Sequence, residues 1–292
     1  MVDGGNTHVY FSITREKKMN KYTTLIMALV ISGMAFAEDE APKQDRESMA
    51  MDSTATQWQF QGAYQWMPNY HDDIVNGSPR PAGLDNYVQL RIVAPVPLKS
   101  FTILPRLTIR HYEAPNGDSG FGNTELFGLV VPKPWDWGTG RIGIGPLITA
   151  PGDSSVARDE WGYGFAAAAV NTKGKWFYGL LFTQSWRSIN PELEQQPEQN
   201  DTNPLGIAPF LAYRLGGGYY IQTADLVVQY DWNNNEVYMP IGARFGKVFV
   251  TDSGSWNLYG EYVTSLIYKD WSGSAVKDSF RINLSYSIPV SL

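Results

Sequence analysis

Residues 56 to 66 read Thr-Gln-Trp-Gln-Phe-Gln-Gly-Ala-Tyr-Gln-Trp, with Gln57, Gln59, Gln61 and Gln65 on odd positions and Trp58, Phe60, Tyr64 and Trp66 on even ones. A period of two is that of a β-strand, so one face of this segment is aromatic and the other carries small or amide groups. Near the other end, Phe280, Ile282, Leu284, Tyr286 and Ile288 alternate in the same way with Arg281, Asn283, Ser285 and Ser287. A soluble sandwich turns its aromatics inward and its charges outward, whereas a membrane barrel turns apolar groups to lipid and lines its lumen with polar ones.

Reading the alternation between Gly, Pro, Asn and Asp clusters predicts strands at 56–67, 86–97, 101–112, 121–131, 139–150, 161–171, 175–187, 204–214, 219–231, 236–249, 256–268 and 279–290. At 11 to 14 residues each, these are near or a little above the roughly 9 to 11 that a tilted membrane strand needs. Long connections (71–85, 113–120, 151–160, 188–203, 269–278) alternate with short ones (98–100, 172–174, 215–218), as short periplasmic turns alternate with longer external loops. Two joins break the rule, the tight loop 233–235 on the long side and the longer turn 132–138 on the short side. The expected fold is all-β: a transmembrane antiparallel up-and-down β-barrel of about twelve strands, with the last strand closing against the first.

The N-terminus adds an address. Arg15, Lys17, Lys18 and Lys21 precede an apolar run from Leu25 to Ile31, and Ala35-Phe36-Ala37 then offers an A-x-A cleavage site. The apolar run is shorter than the roughly 18 residues of a transmembrane helix, so 1–37 is expected to be an upstream extension and a cleaved export signal, with Met19 the natural start. Residues 38–55 are polar, which suits either a periplasmic lead-in or a plug in the lumen, and 56–292 is the barrel. The expected location is the outer membrane of a Gram-negative bacterium. The expected partners are outer-membrane lipid and lipopolysaccharide, the barrel-assembly machinery and a small-molecule solute.

Charge and composition narrow the function. Taking the four basic and two acidic residues of 1–37 from the chain's 23 and 29 leaves 19 against 27, a formal charge of −8. An acidic chain without a basic run does not suit nucleic acid. With no cysteine, thiolate chemistry and cysteine metal sites are absent, and His8, His71 and His111 are too scattered for a histidine metal site, so neither metal nor cofactor is expected.

If the apolar faces meet lipid, the opposite faces supply Arg91, Arg106, Arg110, Asn123, Glu125, Arg141, Asp225, Arg244, Glu261 and Arg281, with Arg187 and Gln229, to the lumen. An Arg on the lipid face near the midplane costs about 2–4 kcal/mol, which favours this orientation. A twelve-strand lumen lies between the roughly eight-strand barrel filled by side chains and the sixteen-strand water channel, so the arginines facing Glu125, Asp225 and Glu261 read equally as a conduction path or as a structural ladder. Gly143, Gly145, Gly162, Gly164, Gly242 and Gly246 are expected at close strand approaches or bulges. Trp and Tyr cluster near strand ends, among them Trp66, Trp161, Trp176, Trp186, Trp232 and Trp256, where interfacial girdles place them.

The segments Gly143-Ile-Gly-Pro-Leu-Ile-Thr-Ala-Pro151, Pro209-Phe210-Leu-Ala-Tyr213, Gly217-Gly-Tyr-Tyr-Ile221 and Pro240-Ile-Gly-Ala-Arg-Phe-Gly-Lys-Val-Phe249 resemble a family of outer-membrane barrels grouped under the MetA pathway of phenol degradation, some members of which carry the label neuromedin U. The resemblance spans most of the chain beyond the signal. It implies an outer-membrane location and uptake of hydrophobic or aromatic compounds.

The leading expectation is therefore a channel for small molecules and not an enzyme. A closed structural or adhesive barrel acting through its loops, including the acidic stretch from Asn190 to Asn203, is a second reading. A lipid-modifying enzyme is a third. Its sole strand histidine is His111, at the outer end of the third strand on the apolar register, and no serine motif accompanies it.

Overall fold

Side-chain alternation sets the register of every strand in the computed structural model, which describes residues 44–290 apart from 72–73, 76–77, 80–84, 115–116, 190–200, 269–270 and 272–274. The predicted export signal, the first residues of the polar lead, most of the acidic loop after Ser188 and the terminal Leu292 lie outside the described residues.

A short helix, α1 (Arg46–Met51), precedes thirteen barrel segments: β1 (Gln57–Tyr70), β2 (Asp85–Val93), β3 (Phe101–Glu113), β4 (Thr124–Pro132), β5 (Gly140–Ala150), β6 (Glu160–Lys173), β7 (Trp176–Ile189), β8 (Pro204–Gly216), β9 (Tyr219–Thr223), β10 (Val228–Asp231), β11 (Glu236–Val250), β12 (Ser255–Ile267) and β13 (Val276–Pro289). Sequential neighbours pair antiparallel, and β9 and β10 together fill one place between β8 and β11. The ring closes where β1 meets β13, with Trp58 opposite Ile288, Tyr64 opposite Ile282 and Trp66 opposite Phe280. The fold is thus a closed antiparallel barrel of twelve staves with one α-helix among the described residues. Closure leaves no strand edge with unpaired N–H and C=O groups, which hydrocarbon would penalise at several kcal/mol each.

The barrel is apolar outside and polar inside. On β1, Gln57, Gln59 and Gln61 are buried while Trp58, Phe60 and Tyr64 are exposed; on β13, Asn283, Ser285 and Ser287 are buried while Ile282, Leu284 and Ile288 are exposed. Exposed Trp161, Trp176, Trp186, Trp232 and Trp256 lie near stave ends.

Two departures from simple alternation matter for the lumen. The predicted strand 219–231 is interrupted: the Ala224 N–H bonds Gly242 O at 3.1 Å, and the Leu226 N–H folds back to Ala224 O at 2.8 Å. Tyr220 and Gln222 point inward from β9, so unbroken alternation would carry Asp225 to the lipid face. The break moves the parity by one residue, and Asp225 turns inward together with Gln229. The predicted strand 86–97 likewise stops at Val93 and resumes only as Val96–Pro97, paired to β3.

The interior is also less uniformly polar than the alternation predicts. Leu104, Phe127, Leu129, Val131, Leu147, Ala166 and Ala168, from β3 to β6, form a buried apolar cluster with Leu181 of β7 packed against it. In β4 and β6 both faces are apolar, so alternation of polarity vanishes there although alternation of direction continues. The lumen wall from β3 to β7 thus carries an apolar patch, while β1, β2, β12 and β13 present mostly polar side chains.

Hairpin chemistry fixes the short-turn end. β6 and β7 are joined by Gly174-Lys175, and Gly174 has φ +59°; between β8 and β9, Gly217 and Gly218 have φ +60° and +81°. A side chain is disfavoured there, which is why glycine occupies these two-residue turns.

Candidate lumen site

Six of the ten predicted lumen residues are arginines, whose long side chains carry charge well in from the wall. Asp225, delivered by the break after β9, is the hub. Its Oδ2 accepts from Arg91 of β2 at 3.3 Å and from Arg281 of β13 at 3.0 Å. Its backbone N–H donates to Glu261 Oε2 of β12 at 2.9 Å, and the same Glu261 carboxylate takes Arg244 of β11 at 2.7 Å, with Arg281 3.9 Å away. Arg281 is held further by Gln65 Oε1 at 2.8 Å and the Tyr87 hydroxyl at 2.6 Å. Buried charges need such multiple partners, because desolvation otherwise outweighs their mutual attraction.

A second group lies beside this hub. Arg106 of β3 is 3.6 Å from Glu125 and stacks over the ring of its cross-strand partner Phe127, 4.1 Å from the ring centroid. Arg110, two pleat repeats further along β3, donates from Nε to Gln89 Oε1 at 3.0 Å and makes no ion pair among the described residues. Five guanidiniums (Arg91, Arg106, Arg110, Arg244, Arg281) therefore face three carboxylates (Glu125, Asp225, Glu261) at this level.

These eight are the predicted residues that the fold brings together. Arg141 lies elsewhere, at the short-turn mouth, bonded to Asp52 at 2.9 Å and to Gln44 Oε1 at 2.9 Å. Asn123 is not on a stave: it precedes β4 and donates to Arg158 O at 3.1 Å, so it belongs to the long-loop end rather than to the lumen wall. Arg187 pairs with Glu160 at 3.0 Å, a buried carboxylate that also takes Arg158 at 3.2 Å. His111 is exposed and meets Phe121 edge-on at 5.1 Å.

Two cavities meet at the charged layer. One of about 400 Å³ lies toward the long-loop end, between residues such as Gln65, Arg110, Ser185, Gln229 and Tyr238. The other, of about 90 Å³, lies toward the short-turn end, between Gln59, Asn257, Phe177 and the segment after α1. Arg91, Arg106, Leu181, Ala208 and Asp225 border both, so the two cavities adjoin at these five residues.

The short-turn mouth is crossed by residues 44–55, a contribution the alternation does not reveal. Asp45 caps α1 by accepting the Ser48 N–H at 2.8 Å, and its other oxygen pairs with Arg214. Asp52 binds Arg141, Arg46 donates to Gly254 O at 2.9 Å, and Gln59 and Asn257 donate to Ala50 O at 3.3 and 3.4 Å. Ser48, Ala50 and Asp52 are buried. Burial pushes the Asp45 carboxyl up, but the Ser48 N–H and the Arg214 guanidinium outweigh it and hold the group below its ordinary value.

No protein-family model matches the chain, and no characterised protein matches it by sequence. The solved structure of an outer-membrane channel from Pseudomonas putida F1 is similar, with a TM-score of 0.58 at 16% identity over 87% of this chain and 99% of that one. The β domain of a Bordetella autotransporter aligns over 80% of this chain and 99% of its own with a TM-score of 0.40 at 9% identity. OmpF of Salmonella typhi aligns over 80% and 97%, with a TM-score of 0.35 at 10% identity. At this level of identity the likeness to the Pseudomonas channel is one of fold.

Proposed function

We propose that the protein is an outer-membrane channel for small solutes, occluded at its periplasmic mouth by the plug 44–55. The observation that carries this reading is the pair of adjoining cavities inside the barrel, which share Arg91, Arg106, Leu181, Ala208 and Asp225 as lining. A side chain can change rotamer without breaking a strand ladder, so such a boundary can open while the barrel stays paired. The apolar outer face, the aromatic stave ends and the fold shared with an outer-membrane channel support the location. The resemblance to the MetA-pathway barrels supports a hydrophobic or aromatic solute, and the apolar stripe from Leu104 to Leu181 supplies a wall for one. Lipopolysaccharide around the barrel and the assembly machinery that inserts it complete the proposed setting.

Planar-bilayer recordings of the refolded protein, with and without residues 44–55, test this. The intact protein is expected to open rarely and the shortened one to conduct steadily. Arg106→Ala in the shortened background is expected to move ion selectivity toward cations. A shortened barrel that is folded and never conducts would instead identify a closed structural barrel.

A further inference from the structure

The excess of cations in the lumen sits next to the apolar stripe, and this juxtaposition names a ligand. Asp225 and Glu261 are shared among Arg91, Arg244 and Arg281 at distances from 2.7 to 3.9 Å. Among the described residues the anionic partner of Arg106 is Glu125 at the longer distance of 3.6 Å, beside its stacking on Phe127, and Arg110 has an amide. The two least neutralised guanidiniums thus stand on the same face of one stave, either side of Thr108, and both line the 400 Å³ cavity. Arg106 Nε is buried without a hydrogen-bond partner, as is Nε2 of Gln89, the residue that holds Arg110. A buried cation short of partners is costly, and an incoming anion removes that cost.

The same cavity is bordered on its other side by Leu147, Leu181, Ala208 and Val227. Its volume falls within the roughly 300–1,000 Å³ of small-molecule sites. We propose that this chamber binds an amphipathic organic monoanion, a carboxylate carried on an apolar body. The carboxylate lies between Arg106 and Arg110, and the body lies against Leu147 and Leu181. Glu125 borders the chamber too, and it sets a limit of one negative charge, since a dianion would bring a second charge against that carboxylate. This assignment deepens the channel reading and rests on the lumen being the solute path.

Titration calorimetry of the full-length protein in detergent, with hexanoate, hexanamide and acetate as probes, tests the assignment without requiring conduction. Hexanoate is expected to bind at least about tenfold more tightly than either control, because hexanamide lacks the charge and acetate lacks the body. Arg106→Gln is expected to weaken hexanoate about tenfold and leave hexanamide unchanged. Leu181→Asn is expected to weaken hexanoate and leave acetate unchanged. Equal binding of hexanoate and hexanamide, or of hexanoate and acetate, by the wild-type protein overturns the site whatever the variants do. Conduction without selective hexanoate binding defeats this assignment alone. Selective binding by a barrel that never conducts upholds the site and defeats the channel.

Discussion

Glu261 and Glu125 are both lumen carboxylates opposite arginines, and their surroundings give them different weights. Glu261 is 3% exposed, touches Arg244 and Arg281, and accepts the Asp225 N–H. Glu125 is 29% exposed and meets Arg106 at 3.6 Å. Removing one partner of a buried pair leaves the others uncompensated, so Glu261→Gln is expected to cost about 3–5 kcal/mol in urea unfolding of the vesicle-embedded protein. Glu125→Gln is expected to cost about 1 kcal/mol or less, the range of a solvated pair. That both residues face the lumen was legible from their place in the alternation. Which of them would carry the network was not, because that depends on Asp225, and Asp225 arrives by a break in β-structure that the sequence marks only with Ala-Asp-Leu in an otherwise regular stave.

At the scale of elements, α1 shows why the polar lead could be recognised and not placed. Six residues are too few for a helix to persist in water, since nucleation is costly and propagation has no length to repay it. Its stability comes from the Asp45 cap and from contacts with β5, β8 and β12 that are remote in sequence. Ser48 has no exposed surface and the chain has no cysteine, so Ser48→Cys gives a single reporter thiol. Thiol-reagent labelling at pH 7 is expected to be slow and to speed up by about tenfold or more when Asp52→Asn removes the partner of Arg141. Acid acts through Asp45 in the same direction. Because its carboxyl is held below the ordinary 3.8, its contribution to anchoring is complete at neutral pH and is lost only as pH falls through the lowered value. Opening frequency in bilayers is therefore expected to be the same at pH 7 and pH 5 and to rise below 3.8. The strands themselves were legible because Trp58, Phe60 and Tyr64 contrast so clearly with the glutamines between them. The apolar lumen wall was hidden because Leu126 to Val131 is apolar on both faces, and polarity then carries no information about direction.

The whole molecule inverts the soluble pattern: its ring of strands is closed and its exterior is apolar, an arrangement suited to a hydrocarbon surrounding. Ile282 is 54% exposed at the middle of β13, next to the seam with β1. Ile282→Arg is expected to destabilise the vesicle-embedded barrel by about 2–4 kcal/mol, as measured by urea unfolding. In detergent, where the head group can reach water, the same substitution is expected to have a smaller effect. The ring of twelve staves was visible in the spacing of turns and in the matched alternation of its first and last strands. The depth at which the two cavities meet could not be seen, since it is fixed by how far arginines from opposite staves reach across the axis.

The segment 44–55 ties together walls that are far apart around the ring, reaching Arg141 on β5, Arg214 on β8 and Asn257 on β12. Mechanically it is a brace across a hoop. A pull applied at Gln44 loads these side-chain bonds one after another, while the β1–β13 ladder beyond them holds its backbone bonds in rows. The brace is expected to give way first, with the ladder of the hoop still paired.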